Sequence, residues 1–142
     1  MKDIKSRVSK LVRRYKTRDP FEIVKGMNVV LVYYPLVGIR GFYQYFKRNN
    51  IIYIDDSLLD SEKRFVLAHE LGHMILHKRS NAIFMDTRTC LKTSGFELEA
   101  DMFAMHLLVS DEDIHEYDGY TIEQMSRALG YRQKLIELRL KR

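Results

Sequence analysis

Leu67-Ala68-His69-Glu70-Leu71-Gly72-His73-Met74-Ile75-Leu76-His77 is the stretch from which the rest of the chain is read. Residues four apart on a helix share a face, so His69 and His73 stand one turn apart and are able to grip one metal ion together. Glu70 points to the side of that pair, where it reaches a water activated by the ion. Two imidazoles and a carboxylate in H-E-x-x-H spacing are what a zinc hydrolase needs, namely two nitrogen ligands and a proton acceptor.

Five residues match by accident often enough that the surroundings must decide. Asp60 or Ser61 is placed to cap a helix, Glu62 falls in its first turn, and Phe65, Leu67, Ala68, Leu71, Ile75 and Leu76 cover most of its circumference. A helix so apolar belongs inside the protein, which would bury His69, Glu70 and His73. Buried polar groups need partners, and a metal ion supplies them. The alternative is a core helix whose histidines are satisfied by hydrogen bonds alone.

The chain has 142 residues, of which 46% are hydrophobic and 30% charged, enough for one compact domain over residues 1–142. No apolar run approaches the ~20 residues of a membrane helix. The charged start Met1-Lys2-Asp3-Ile4-Lys5 lacks the apolar core of a signal peptide, and the lone Cys90 precludes an intrachain disulfide. Together these point to the cytoplasm. The net charge of +5 invites a nucleic-acid partner. The basic residues gather at the two ends, however, including Lys5, Arg7, Arg18 and Arg139, and read better as the solvated sides of terminal helices.

In chain order, Ile4, Val8, Leu11, Val12 and Tyr15 recur at helical spacing, and Asp19-Pro20 starts a short helix stopped at Gly26, giving a helical N-terminus over 1–26. The period changes in 28–55. Val29 to Tyr34, Arg40 to Phe46 and Ile51 to Ile54 read as three short strands, the last two a hairpin turning through Lys47-Arg48-Asn49-Asn50. The H-E-x-x-H helix follows over 60–78. Lys78 to Ser94 reads as a loop in which Phe84 and Met85 pack over the cleft and Cys90 has no assigned role. Helices over 95–108 and 111–142 complete an α+β fold. Among them Ser110 or Asp111 caps a short acidic helix, and Thr121 with Gln124 forms a capping box closed by Gly130. The last helix pair faintly resembles a helix-turn-helix, although such pairs are usually packing units.

A catalytic zinc needs a third protein ligand. The longer H-E-x-x-H-x-x-G-x-x-H pattern is absent, since position 76 is Leu and position 79 is Arg. His77, a further turn along, drifts out of reach and reads as structural or as a support from outside. Phe96 to Leu108 offers Glu97 and Asp101 one turn apart, beside the small Ala100 and Ala104, with Glu99 and His106 on the opposite side. Glu97 is therefore the expected third ligand. Asp101 is expected to accept the free ring N–H of a metal-binding histidine and fix its tautomer. Read without the upstream motif, both would be ordinary surface charges.

H-E-L-G-H-x-x-L-H, here His69 to His77, followed by E-x-x-A-D-x-F-A-x-x-L-L, here Glu97 to Leu108, resembles the ImmA/IrrE family of small metallopeptidases. The resemblance covers most of the chain. It implies a minimal zincin fold with His69, His73 and Glu97 as metal ligands, Glu70 as general base and Zn²⁺ as cofactor. It also implies a protein substrate: a cytosolic DNA-binding repressor of a phage or mobile element, cut at a defined site. Val109-Ser110 departs from the Met-Pro that often follows the double leucine, which bears on the helix exit. His115, Tyr117, Tyr120 or an arginine would serve as oxyanion donor. The competing function is a non-enzymatic regulator binding DNA or a repressor, its metal site structural or vestigial.

Overall fold

The computed structural model describes residues 3–77, 84–86 and 95–141. Among these, seven helices accompany one mixed sheet in an α+β arrangement. Helix α1 (Ile4–Tyr15) starts at Asp3, whose carboxylate accepts from the Ser6 amide, and ends at Lys16 in the left-handed region. Helix α2 (Pro20–Gly26) starts at Asp19, with Pro20 in the first helical position, where its missing N–H costs nothing.

Strands β1 (Val30–Tyr34), β2 (Gly41–Phe46) and β3 (Asn49–Asp55) are the three expected, and β2 and β3 form the expected hairpin. Its connection is tighter than the reading of Lys47 to Asn50 as the turn. Only Lys47 and Arg48 connect the strands, both at positive φ, as a two-residue turn requires. Asn49 already pairs with Phe46, and Asn50 accepts a hydrogen bond from the Tyr43 hydroxyl at 2.7 Å. Strand β1 runs parallel to β3, which puts β3 in the middle of the sheet. Alternate residues Tyr43, Ile52 and Ile54 turn inward, while Phe42 and Tyr53 stack on the other face at 4.3 Å.

A fourth strand, β4 (Phe84–Asp86), pairs antiparallel with β2 and makes the order β1-β3-β2-β4. The reading of 78–94 as all loop is corrected to that extent. Three residues are too few to show a period of two, and pairing to the open side of β2 defines this strand. The side chains of Phe84 and Met85, and Cys90, lie outside the described residues.

Helix α3 (Asp60–His77) crosses the sheet, and residues 65–74 are all buried. Its cap is one residue earlier than Asp60 or Ser61: the Leu59 carbonyl accepts from Lys63, and Glu62 reaches back to accept the Leu59 amide at 3.0 Å. Gly41 lets the sheet close on this helix. A Cβ there would stand 2.7 Å from the Tyr53 carbonyl oxygen and from Val66 Cγ1, and 3.8 Å from Glu70 Cγ. Only a residue without a side chain lets β2 lie this close to the turn that carries Glu70.

Helix α4 (Gly95–Leu108) packs along α3, with Ala100, Phe103 and Ala104 fully buried. Gly72 faces it, and a Cβ there would be 3.0 Å from Phe103 Cβ. Helix α5 (Asp111–Glu116) carries a Ser110–Asp113 capping box, α6 (Ile122–Leu129) the expected Thr121–Gln124 box with Gly130 left-handed at its end, and α7 (Gln133–Leu140) follows. Met125, Leu135 and Ile136 of the last pair are in the core, as a packing unit requires.

The terminal cations do more than face solvent. Arg7 donates to the Ile75 carbonyl at 3.1 Å, near the end of α3. Arg18 donates to His106 and Leu107 carbonyls at 3.0 and 3.2 Å, and Arg139, only 6% exposed, to Val109 at 2.8 Å. Cations at the C-terminal ends of α3 and α4 satisfy carbonyls that lack helical partners and complement the helix dipole. They pin the two helices that carry the site.

Candidate metal centre

Helix periodicity places His69 and His73 on the same side of α3, and the close α3–α4 approach brings Glu97 onto them. All three side chains offer ligand atoms within 4.8 Å of one another, and both imidazoles are fully buried. His69 Nε2 lies 3.2 Å from Glu97 Oε2, and His73 Nε2 lies 2.7 Å from Glu97 Oε1. Donors bound tetrahedrally at ordinary Zn–N and Zn–O lengths stand about 3.3–3.5 Å apart, so this set needs only small adjustments to share one ion. Two imidazoles and one carboxylate are also the donor chemistry that zinc accepts while keeping a coordination position open.

Asp101, one turn beyond Glu97, reaches the other side of His69. Its Oδ1 is 2.7 Å from His69 Nδ1, so the ring presents Nε2 to the cluster. His77 is outside the three-donor cluster, as its extra helical turn dictates, but its Nδ1 is 2.9 Å from His73 Nδ1. Glu99 differs from its expected placement on the opposite side: its Oε1 lies 2.7 Å from His77 Nε2. The first turn of α4 straddles α3, so both glutamates reach it, a relation that helical spacing on α4 alone does not reveal.

The electrostatics follow from this packing. Burial pushes the His69 pKa down, but hydrogen bonds to Asp101 and Glu97, together with the nearby Glu70 charge, outweigh it and hold the imidazolium up to about 10. Burial opposes the charge on Glu97 as well, yet its bonds to His69 and His73 keep the carboxylate well below its usual range. Burial dominates for His73, which is lowered despite Glu97. The acids around His69 thus favour its charged form. His69 stabilises the metal-free fold fully below its unfolded value of 6.5, and that contribution is lost as pH rises towards about 10.

An ion held at His69 Nε2 would have to displace any proton on that nitrogen. Zinc uptake near pH 8 is accordingly expected to release about one proton per chain, read as a dependence of calorimetric binding heat on the ionisation enthalpy of the buffer. Binding heats independent of the buffer would show His69 neutral before loading.

Glu70 is fully buried, between α3 and the start of β2. Towards the N-terminal end of α3 the Phe65 ring lies 6.2 Å from His69 and 6.3 Å from Tyr131. Phe65 and Tyr131 line a groove of about 1030 Å³ shared with Phe21, Tyr33, Arg40 and Arg132. Sequence reading missed Tyr131 and Arg40, because nothing local marks a residue that the α6–α7 turn or the approach to β2 carries to this groove. Tyr117 and Tyr120, two of the considered oxyanion donors, meet edge to face at 5.1 Å after α5. Among the described residues no helix is long and apolar enough to cross a membrane.

Comparison with known proteins agrees with the constellation. The family profile described as the IrrE N-terminal-like domain of peptidase family M78 matches residues 24–141, which include every residue of the centre. The chain is 37% identical over 139 residues to "Uncharacterized immunity region protein 2" of Bacillus phage phi105, covering 96% of this chain and 88% of the phage protein. It is 28% identical over 131 residues to "Metallopeptidase ImmA" of Bacillus subtilis (strain 168), covering 88% of this chain and 76% of that protein. With a His-His-Glu cluster on the H-E-x-x-H helix and its neighbour, its histidines buried, and a profile matched over most of its length, the chain belongs to the ImmA/IrrE family of metallopeptidase-like proteins.

Proposed function

We propose that the chain is a zinc-dependent endopeptidase that cuts a cytoplasmic DNA-binding repressor at a defined bond, in the regulation of a phage or mobile element. The observation that carries this reading is the convergence of His69, His73 and Glu97 beside the buried Glu70. The names of the two relatives, an immunity region protein and a metallopeptidase, support the substrate class.

His69, His73 and Glu97 would hold the ion, and Asp101 would keep His69 turned with Nε2 towards it. When bound, zinc supplies a Lewis acid that polarises the scissile carbonyl and brings the pKa of a water to ~7. Glu70 would take a proton from the attacking water as its oxygen adds to the carbonyl carbon. The same carboxyl then delivers the proton to the amine nitrogen as the C–N bond breaks, so Glu70 ends the cycle as it began. The groove bordered by Phe65 and Tyr131 offers room for one side of a bound substrate chain.

The test is incubation of the zinc-loaded chain with a panel of purified phage-type DNA-binding repressors, followed by intact-mass analysis. Two fragments from a single bond, suppressed by a chelator and restored by zinc, are expected. A panel left whole by a fully loaded chain counts against the assignment.

A further inference from the structure

His77 is buried at 4% exposure, one turn beyond His73, and takes no place among the three donors. Each of its ring nitrogens faces a polar group, His73 on one side and Glu99 on the other. When His73 gives Nε2 to a metal, its proton sits on Nδ1, which lies 2.9 Å from His77 Nδ1. His77 Nδ1 must then accept, so the His77 proton sits on Nε2, 2.7 Å from Glu99 Oε1. A carboxylate only accepts, so the chain of donors runs one way, from His73 through His77 to Glu99.

We propose that His77 and Glu99 are positioning residues for the metal centre: His77 locks His73 in the Nδ1–H tautomer, and Glu99 locks His77. This rests on the metal-site reading above. The two ligand histidines are thereby oriented by different means. His69 meets the Asp101 carboxylate directly, whereas His73 meets a carboxylate through an intervening imidazole. The Phe96 ring, 4.5 Å from that of His77 and tilted by 48°, packs beside the relay. An acceptor on the far nitrogen fixes ring orientation and raises ligand basicity, so the relay acts on the hold of the centre on its ion.

The test uses the full chain and measures zinc affinity by competition with a chromogenic chelator, with thermal melts of the metal-free forms as the control for folding. His77→Phe retains an aromatic ring but offers no nitrogen. Its affinity is expected to fall about 10–100-fold, the usual cost of losing such a partner. Glu99→Ala is expected to lose less, and the double variant no more than His77→Phe alone, because both lie on one relay. A folded His77→Phe that binds zinc as tightly as wild type overturns the proposal. Should that variant not fold, unchanged affinity in Glu99→Ala, whose side chain reaches the surface, overturns it equally.

Nitrogen-15 spectra of the zinc-loaded wild type supply a readout that packing alone would not move. The expected state has the proton on His73 Nδ1 and on His77 Nε2, and a proton on His77 Nδ1 instead overturns the relay. Wild type that binds no zinc would remove the metal-site reading and the relay with it. Zinc binding that is indifferent to both variants would remove the relay alone.

Discussion

Glu70→Gln is expected to leave the fold and the zinc content of the chain intact while lowering repressor cleavage by at least ~10²–10⁴-fold, the range for losing a positioned general base. Gln has nearly the shape of Glu, so the space between α3 and the start of β2, where a Cβ on Gly41 would lie 3.8 Å from Glu70 Cγ, is filled as before. Glu70 is not among the clustered donors, so the change removes no ligand. What it removes is the oxygen that takes and returns the proton. The measurement is single-turnover cleavage beside elemental analysis of the same preparation. Undiminished turnover at full zinc loading would show that another group moves the proton.

The second large effect concerns the ligands. His73→Ala and Glu97→Ala are each expected to weaken zinc binding by more than the ~10–100-fold that loss of an outer partner costs. Wild type should purify with about one zinc per chain and both variants with far less. The two changes differ in what they leave behind. Glu97 is partly exposed, and its removal takes an anion from beside His69, whose imidazolium then retains Asp101 as its partner. His73 is fully buried, so its removal leaves a cavity beside His77 and costs stability as well as metal. Metal content that stays near one per chain in Glu97→Ala would exclude that residue as the third ligand and direct attention to other acids of α4.

The elements whose signals are local were legible in the sequence. The apolar girth of α3, the caps of α2 and α6, and the hairpin of β2 and β3 depend on residues within a few positions of one another, where dihedral preferences and helical periodicity act. Glu97 and Asp101 could be singled out because a catalytic metal would demand a third ligand, and helical spacing then offers a carboxylate one turn away. Features created by pairing or packing between distant segments were not legible. Strand β4 is defined by the edge of β2 that it covers, not by its three residues. Arg18 and Arg139 looked like solvent-facing charge, yet they bond to carbonyls at the end of α4 because the α1–α2 connection and α7 bring them there.

The sequence by itself determined that His69 and His73 share one face of a helix, with Glu70 to the side of the pair, because 3.6 residues per turn leaves no other placement. Tertiary structure alone decided how the centre is supported. The close passage of α4 over α3, made possible by Gly72 and the alanines of α4, turns Glu97 onto both imidazoles and Asp101 onto His69. The same passage brings Glu99 to His77 from the side that periodicity assigns to solvent. Spacing specifies which residues share a helix face, but the distance and angle between two helices depend on every side chain packed between them.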